Sequence, residues 1–435
     1  MADIREYKKL KEQKSNVVSG KSRFNVQPLP PSEDEDDYDD VRDEQEDDEY
    51  EEADDEYRTR LRRHRIRVAV ATVLCVALVV AAAIFIGINI DNRSYSTYTI
   101  INSVTRDETS NCRYFAFGEG YVRCSNDGAA YFNKKGAAVW NQTYQMKSPQ
   151  LVTNGDCLAV GDINGSSIYV FNTKGMLGSI DTSLSISQIE VGSGGVVAAI
   201  LEDSTANYIN MYDASGNKIY SVKTTLSGDG YPLDISISKD MTKLIASYVY
   251  INGESIKTNV VFYNFSDVGQ NETERIVGGF NHYESTLIPE VEFINNSSAA
   301  AIGEDILSIY KIKEFPNLHK EIKIDSGIDR VFTSDKYIGI LTENKESGDN
   351  FKLNVYDSSG NNVFETTFNT SYNTIKFDGD SILMYNDRMV TLMNMRGKTL
   401  ANLEFDLPIE EVLSLGSRGS YLLVNSTYIQ EIRLK

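Results

Sequence analysis

Histidine, tryptophan and cysteine are scarce in this chain of 435 residues, which holds three His, one Trp and four Cys. So few imidazoles and thiols leave a thin inventory for Ser/His/Asp or Cys/His catalysis. Positive charge is in deficit too. Lys+Arg number 43 against 63 Asp+Glu, a formal net charge of −20 with a pI near 4.7. Wrapping nucleic acid needs a basic face that displaces counterions, so nucleic acid is not an expected partner. The deficit is uneven. Residues 1–67 carry 14 basic and 21 acidic side chains, residues 91–435 carry 29 and 42, and residues 68–90 carry none.

That uncharged stretch reads VAVATVLCVALVVAAAIFIGINI, 23 residues with Thr72 and Asn89 as its clearly polar members. As a helix at about 1.5 Å per residue it spans roughly 35 Å, enough to cross a hydrocarbon layer about 30 Å thick with some tilt. It begins too far into the chain for a secretory signal peptide and is too long for one. Arg58, Arg60, Arg62, Arg63, Arg65 and Arg67 crowd its N-terminal side, against Arg93 beside Asp91 on the other. This asymmetry predicts a single-pass signal anchor in the cell membrane, N-terminus cytoplasmic and C-terminal domain extracellular. The same six arginines can sit on anionic headgroups, which makes membrane lipids an expected partner.

Residues 1–66 read as a disordered cytoplasmic tail. Within it, residues 33–56 hold 18 acidic side chains in 24 positions. Such a block cannot bury enough surface to offset chain entropy. It suits a solvated spacer, or a docking tail for a basic cytoplasmic partner.

After residue 90 the texture changes to short runs rich in Val, Ile, Tyr, Phe and Thr, broken by Gly, Asn, Asp and Ser, with no long amphipathic helix. That is strand-and-turn composition. One phrase recurs: a bulky apolar residue, Asn or Asp, two residues, then Gly. It places Asn133 with Gly136, Asn172 with Gly175, Asp213 with Gly216, Asp357 with Gly360, and Asn394 with Gly397. Asn or Asp opens a type I turn, and Gly takes the left-handed position that closes it as a bulge. With degenerate copies included, the markers Phe132, Phe171, Tyr212, Tyr263, Tyr310, Tyr356, Met393 and Ile432 are spaced 37 to 51 residues apart. A four-stranded propeller blade needs about 40–50 residues.

The reading is an all-β ectodomain, a propeller of eight four-stranded blades over residues 111–435. In one unit the strands fall at 329–332, 337–341, 351–356 and 363–368, from the innermost outward. The last unit supplies 411–415, 421–424 and 428–434 and then lacks an outermost strand. Residues 97–104, inside a linker at 91–110, are a spare strand-like run placed to supply it and close the ring.

The phrases Asp213-Ala-Ser-Gly216 and Asp357-Ser-Ser-Gly360 resemble the blade repeat of quinoprotein-like propellers. Quinone-cofactor enzymes of that kind follow the Gly with a docking Trp in blade after blade. Here Trp140 stands four residues after Gly136, whereas Tyr220 and Phe364 take the place after Gly216 and Gly360. No cofactor is therefore expected. The whole layout looks like an uncharacterised family of membrane-anchored propellers in Gram-positive bacteria, a resemblance that implies no catalytic, cofactor or metal residues.

Two functions from different classes compete. The first, not an enzyme, is a binding or scaffolding module of the cell envelope, presenting loops to a protein or cell-wall polymer. The second is an extracytoplasmic hydrolase or lyase using carboxylates in the propeller pore. His282 and His319 both read as surface residues in loops. Asp162-Ile-Asn-Gly165 lacks the third acidic ligand and closing Glu of a calcium loop, and reads as a turn. Cys112 and Cys124 flank one hairpin and could pair, with their side-chain directions left open. Cys157 reads as a buried thiol.

Overall fold

The computed structural model describes residues 44–106, 112–225, 228–253, 255–283, 285–345 and 348–435. The chain divides into two compact units, Met1–Ala83 and Ile84–Lys435.

Helix α1, Glu44–Asp91, runs through the apolar stretch. Its described part Thr59–Ala82 is long and apolar enough to cross a membrane, with a mean hydropathy of 2.2 and no burial inside the protein. The helix starts upstream of the apolar run and takes in residues 44–66 of the expected disordered tail. Acidic residues at a helix N-terminus complement the macrodipole, which favours such an extension. Residues 1–43 of that tail lie outside the described residues.

The second unit is a ring of eight antiparallel four-stranded sheets. Blades 1 to 7 span residues 113–143, 149–181, 185–224, 231–280, 290–323, 330–368 and 374–404, each built from four consecutive strands. Blade 8 takes three strands from residues 409–434, and its outermost strand is Tyr98–Thr105 from the front of the domain. The ring closes as the sequence predicts.

The middle strands are buried on both faces and read as near-continuous apolar runs. Ser298–Ile302 and Ser381–Tyr385 are buried at every position. A strand sandwiched between two neighbouring blades has no solvent side, so polar alternation disappears. The core is correspondingly divided into eight clusters, one for each interface. Phe117, Val122 and Tyr131 of blade 1 pack on Leu158, Val160 and Phe171 of blade 2. Tyr114 and Tyr121 of blade 1 pack on Leu422, Val424 and Ile429 of blade 8.

Strand direction alternates, so loops segregate by end. Turns joining the second strand to the third, and connections from one blade to the next, lie at one end, here the upper. Turns joining first to second and third to fourth lie at the lower end. The chain enters the ring at the lower end, where the Tyr95 N–H donates to Leu400 O at 2.6 Å and Lys398 Nζ donates to Asn92 O at 2.8 Å.

Candidate functional site

The upper end carries a cavity of about 740 Å³ between blades 8, 1 and 2. Arg113 opens the innermost strand of blade 1 (Arg113–Phe117), and Lys147 stands in the connection to blade 2. Arg106 follows the closing strand, and Glu410 comes from the start of the innermost strand of blade 8. Arg106 Nη1 donates to Glu410 Oε2 and to the Asn425 carbonyl, both at 2.6 Å. The Arg113 guanidinium lies over the Phe115 ring, 5.1 Å from its centroid.

Lys147 is fixed by its backbone. Its N–H and that of Ser148 donate to Asp162 Oδ1 at 2.9 and 2.8 Å, while its carbonyl accepts from Asn126 Nδ2 at 3.0 Å. Asp162, which reads as a turn residue from sequence, thus clamps the loop that forms one wall.

On the same end, blade 4 raises a long hairpin. Its strands Lys243–Asn252 and Ser255–Asn264 have ten residues each. Pairing with the innermost strand stops at Val249, and pairing with the outermost starts at Val260, so the tip stands clear of the sheet. Ile251 and Ile256 face each other there, 66% and 56% exposed.

The pore wall of blades 3, 4 and 5 gathers carboxyl groups from innermost strands: Glu190 (Ser185–Val191), Asp234 (Tyr231–Ile237), and Glu290 and Glu292 (Glu290–Asn295). Asp234 is a staple between blades. Its Oδ2 accepts the Val291 N–H at 2.7 Å and its Oδ1 accepts from Gln188 Nε2. Ser236 repeats the device, with Oγ accepting the Phe293 N–H at 3.0 Å. Burial in the narrow, protein-walled lumen pushes Asp234 up to about 6 despite those donors. Burial, then the neighbouring Asp234 and Glu290 charges, push Glu292 up to about 8. Glu190 is raised well above the usual carboxylate range by burial, then by Glu292 and Asp234. Among the described residues, no group of three or more His, Cys, Asp or Glu is arranged to hold a metal ion.

The repeat-turn residues all lie at the lower end, between third and fourth strands. Asn133, Asp213, Asp357 and Asn394 share one geometry. The side-chain oxygen accepts the N–H groups two and four residues on, and the carbonyl accepts the glycine N–H. Gly136, Gly216, Gly360 and Gly397 have φ of +81°, +89°, +74° and +77°. Asn172 differs, with Oδ1 accepting the N–H groups of Lys174 and Gly175. The arginines ahead of the apolar stretch lie along α1, where Arg60, Arg62, Arg63, Arg65 and Arg67 are exposed; Arg58 is in the same helix.

The aromatic residues four places after Gly136, Gly216 and Gly360 reach the next blade. Trp140 stacks on Phe171 of blade 2, centroids 4.7 Å apart and rings 7° from parallel, and its Nε1–H donates to Asn172 O at 3.1 Å. Tyr220 donates its hydroxyl to Glu274 O at 2.6 Å and packs edge-on against Phe265. Phe364 lies beside Gly397.

His282 sits in a turn, with Nε2 2.7 Å from Glu321 Oε1. His319 is in the outermost strand of blade 5, Pro316–Lys323, not in a loop. Proline lacks an N–H, yet the first position of an outermost strand tolerates it, so the strand begins there. Cys124 and Cys157 are buried free thiols, and Cys124 lies opposite Arg113 and 3.1 Å from the Tyr144 hydroxyl. Cys112, one residue before Arg113, packs against the blade 8 cluster, whereas Cys124 belongs to the cluster shared with blade 2.

Sequence reasoning missed the cavity cations and the pore acids. The acids had a signal: Gln188-Ile-Glu190, Asp234-Ile-Ser236 and Glu290-Val-Glu292 alternate polar with apolar at period two, on strands that line a pore.

Among solved structures the ring is similar to Sqt1 of Chaetomium thermophilum bound to the N-terminus of the ribosomal protein L10, with a TM-score of 0.50 at 10% identity over 79% of this chain and 100% of that one. It is also similar to BamB from Moraxella catarrhalis, with a TM-score of 0.49 at 10% identity over 78% of this chain and 100% of that one. At such identity the likeness is one of fold. No curated protein matches the sequence. Residues 91–434 match a family described as "Family of unknown function (DUF5711)", and the chain belongs to that family.

Proposed function

We propose that this DUF5711 member is a membrane-anchored, extracytoplasmic binding module whose upper end docks a protein of the cell envelope. The observation that carries the reading is the pairing, on one end of the ring, of the blade 4 hairpin tip with the polar cavity between blades 8, 1 and 2. Ile251 and Ile256 offer apolar contact on a tip that stands clear of the sheet, and the cavity offers charge and hydrogen bonds on the same end of the ring. Anchoring is supported by the unburied apolar helix Thr59–Ala82 and by the arginines ahead of the apolar stretch. Those arginines favour anionic lipids, and the acidic tail suits a basic cytoplasmic partner.

The test is affinity capture of the full chain from membranes, beside a chain lacking residues 1–66. Partners held by both forms contact the ring or the span. Partners lost with the tail are cytoplasmic, and finding only those would refute docking by the ring.

A second reading, a hydrolase or lyase, draws on the pore acids. Glu292, held up to about 8, would be a protonated donor at neutral pH beside Asp234, held up to about 6. Asp234 already spends both oxygens on Gln188 and the Val291 N–H, which fits a staple better than a base.

A further inference from the structure

We propose that the cavity between blades 8, 1 and 2 takes a short acidic peptide segment of the docked partner, with Arg113 and Lys147 receiving its carboxylates. The inference rests on the docking reading and adds the chemistry of what enters.

Charge is the first argument. The domain from residue 91 onward carries 29 basic against 42 acidic side chains, yet the described lining of the cavity inverts that balance. Among the described residues, three cations, Arg106, Arg113 and Lys147, line it against one carboxylate, Glu410. Arg106 and Glu410 close on each other at 2.6 Å. Arg113 and Lys147 make no ion pair among the described residues, so two cations line the cavity without a described carboxylate partner. An acidic protein that concentrates unspent cations in one recess has a local potential opposite to its net charge, which guides anionic groups there.

Preorganisation is the second. Lys147 is clamped through its N–H by Asp162 and through its carbonyl by Asn126, and Arg113 sits in a strand paired with Cys124. The two cations come from different elements, and neither needs backbone rearrangement before binding, which keeps the ordering cost low.

Size and lining select a peptide over a bare anion. A cavity of about 740 Å³ is within the range of about 300–1,000 Å³ that takes drug-sized ligands and leaves a lone phosphate mostly surrounded by water. Pro149 and Ile163 add apolar wall, suited to the methylene stems of glutamate, and Ser125, Asn126 and Ser148 add polar groups of the kind that meet peptide amides.

The experiment uses the full chain in lipid nanodiscs and fluorescence anisotropy with a fluorescein-labelled peptide of sequence GEAEAE. The same peptide with Gln for each Glu is the uncharged control. Variants are Arg113→Ala with Lys147→Ala, and, as a charge-matched control on the exposed outer strand of blade 3, Lys218→Ala with Lys223→Ala. Trp140 fluorescence verifies that each variant is folded. The acidic peptide should bind, the Gln peptide at least about tenfold more weakly, and the cavity double variant should lose about tenfold, in line with partly exposed ion pairs. The blade 3 variant should bind like the parent. Sodium phosphate should displace the peptide no better than chloride of equal ionic strength. Equal binding by the cavity variant, equal binding of the Gln peptide, no binding at all, or specific displacement by phosphate would each overturn the proposal. Membrane capture of ring partners that persists in the cavity variant would leave the docking reading standing while this inference falls.

Discussion

Thr97 and Lys435 exchange both backbone hydrogen bonds, N–H to O at 3.1 Å in one direction and 2.8 Å in the other. In an antiparallel pair such double exchange alternates with pairs that exchange none. Thr99, opposite Arg433, is therefore a bonded position, and Ile100, opposite Ile432, turns its N–H away from the partner strand. Thr99→Pro should remove a donor from the closing ladder and lower the melting temperature markedly, whereas Ile100→Pro at the outer edge should be milder. Differential scanning fluorimetry of the full chain separates the two. Equal losses would mean the register of closure is other than described.

Truncation tests the same ring in a coarser way. A chain that begins at residue 111 lacks the outermost strand of blade 8 and leaves Tyr428–Leu434 as an open edge. It should aggregate and melt well below a chain that begins at residue 91. Equal melting and solubility would contradict closure by this strand.

Trp140 reports on one blade interface by itself, since the chain has a single tryptophan. Replacing it with Ala removes the Phe171 stack and the bond to Asn172 O, and should cost about 3 kcal/mol by the usual scale for large aromatic truncations. Trp140→Phe should keep most of the stacking and cost about 1 kcal/mol, the worth of a hydrogen bond. Chemical denaturation followed by circular dichroism measures both.

Stability should fall as pH rises from about 5 to about 8.5. Asp234 and Glu292 have folded pKa values raised to about 6 and about 8, above the unfolded carboxylate range. The folded state then binds more protons than the unfolded one across that window, and the linkage slope is negative. Asp213, Asp240, Asp335 and Asp357 are shifted the other way, and their contribution is lost only in more acidic solution. Glu292→Gln should flatten the slope and raise the melting temperature at pH 8.5. A melting temperature that climbs over this window would refute the arrangement of the pore acids.

Much of the ring was legible because its signals are local. The bulge turn needs Asn or Asp and Gly at fixed offsets, and Asp357 with Gly360 shows the geometry those residue types imply. Strand 428–434 is found at its expected bounds, and the expected 97–104 strand is Tyr98–Thr105. The cavity was not legible, because Arg113, Lys147 and Glu410 come together only when blades 8, 1 and 2 meet. The packing of Tyr220 and Phe364 was not legible either, since sequence alone does not show that another flat ring fills the position where Trp140 docks. The Asp234 staple was hidden for a related reason: its partner, the Val291 N–H, belongs to the next blade.

The central claim is that the upper end of the ring is the docking face, and site-specific photo-crosslinking in intact cells tests it most directly. A photoreactive residue placed at Ile251 or Ser148 should give a discrete adduct with a protein partner. The same residue at Val139 or Val363, on outer strands of blades 1 and 6, should give none. Adducts from the outer strands with none from Ile251 or Ser148 would contradict the account.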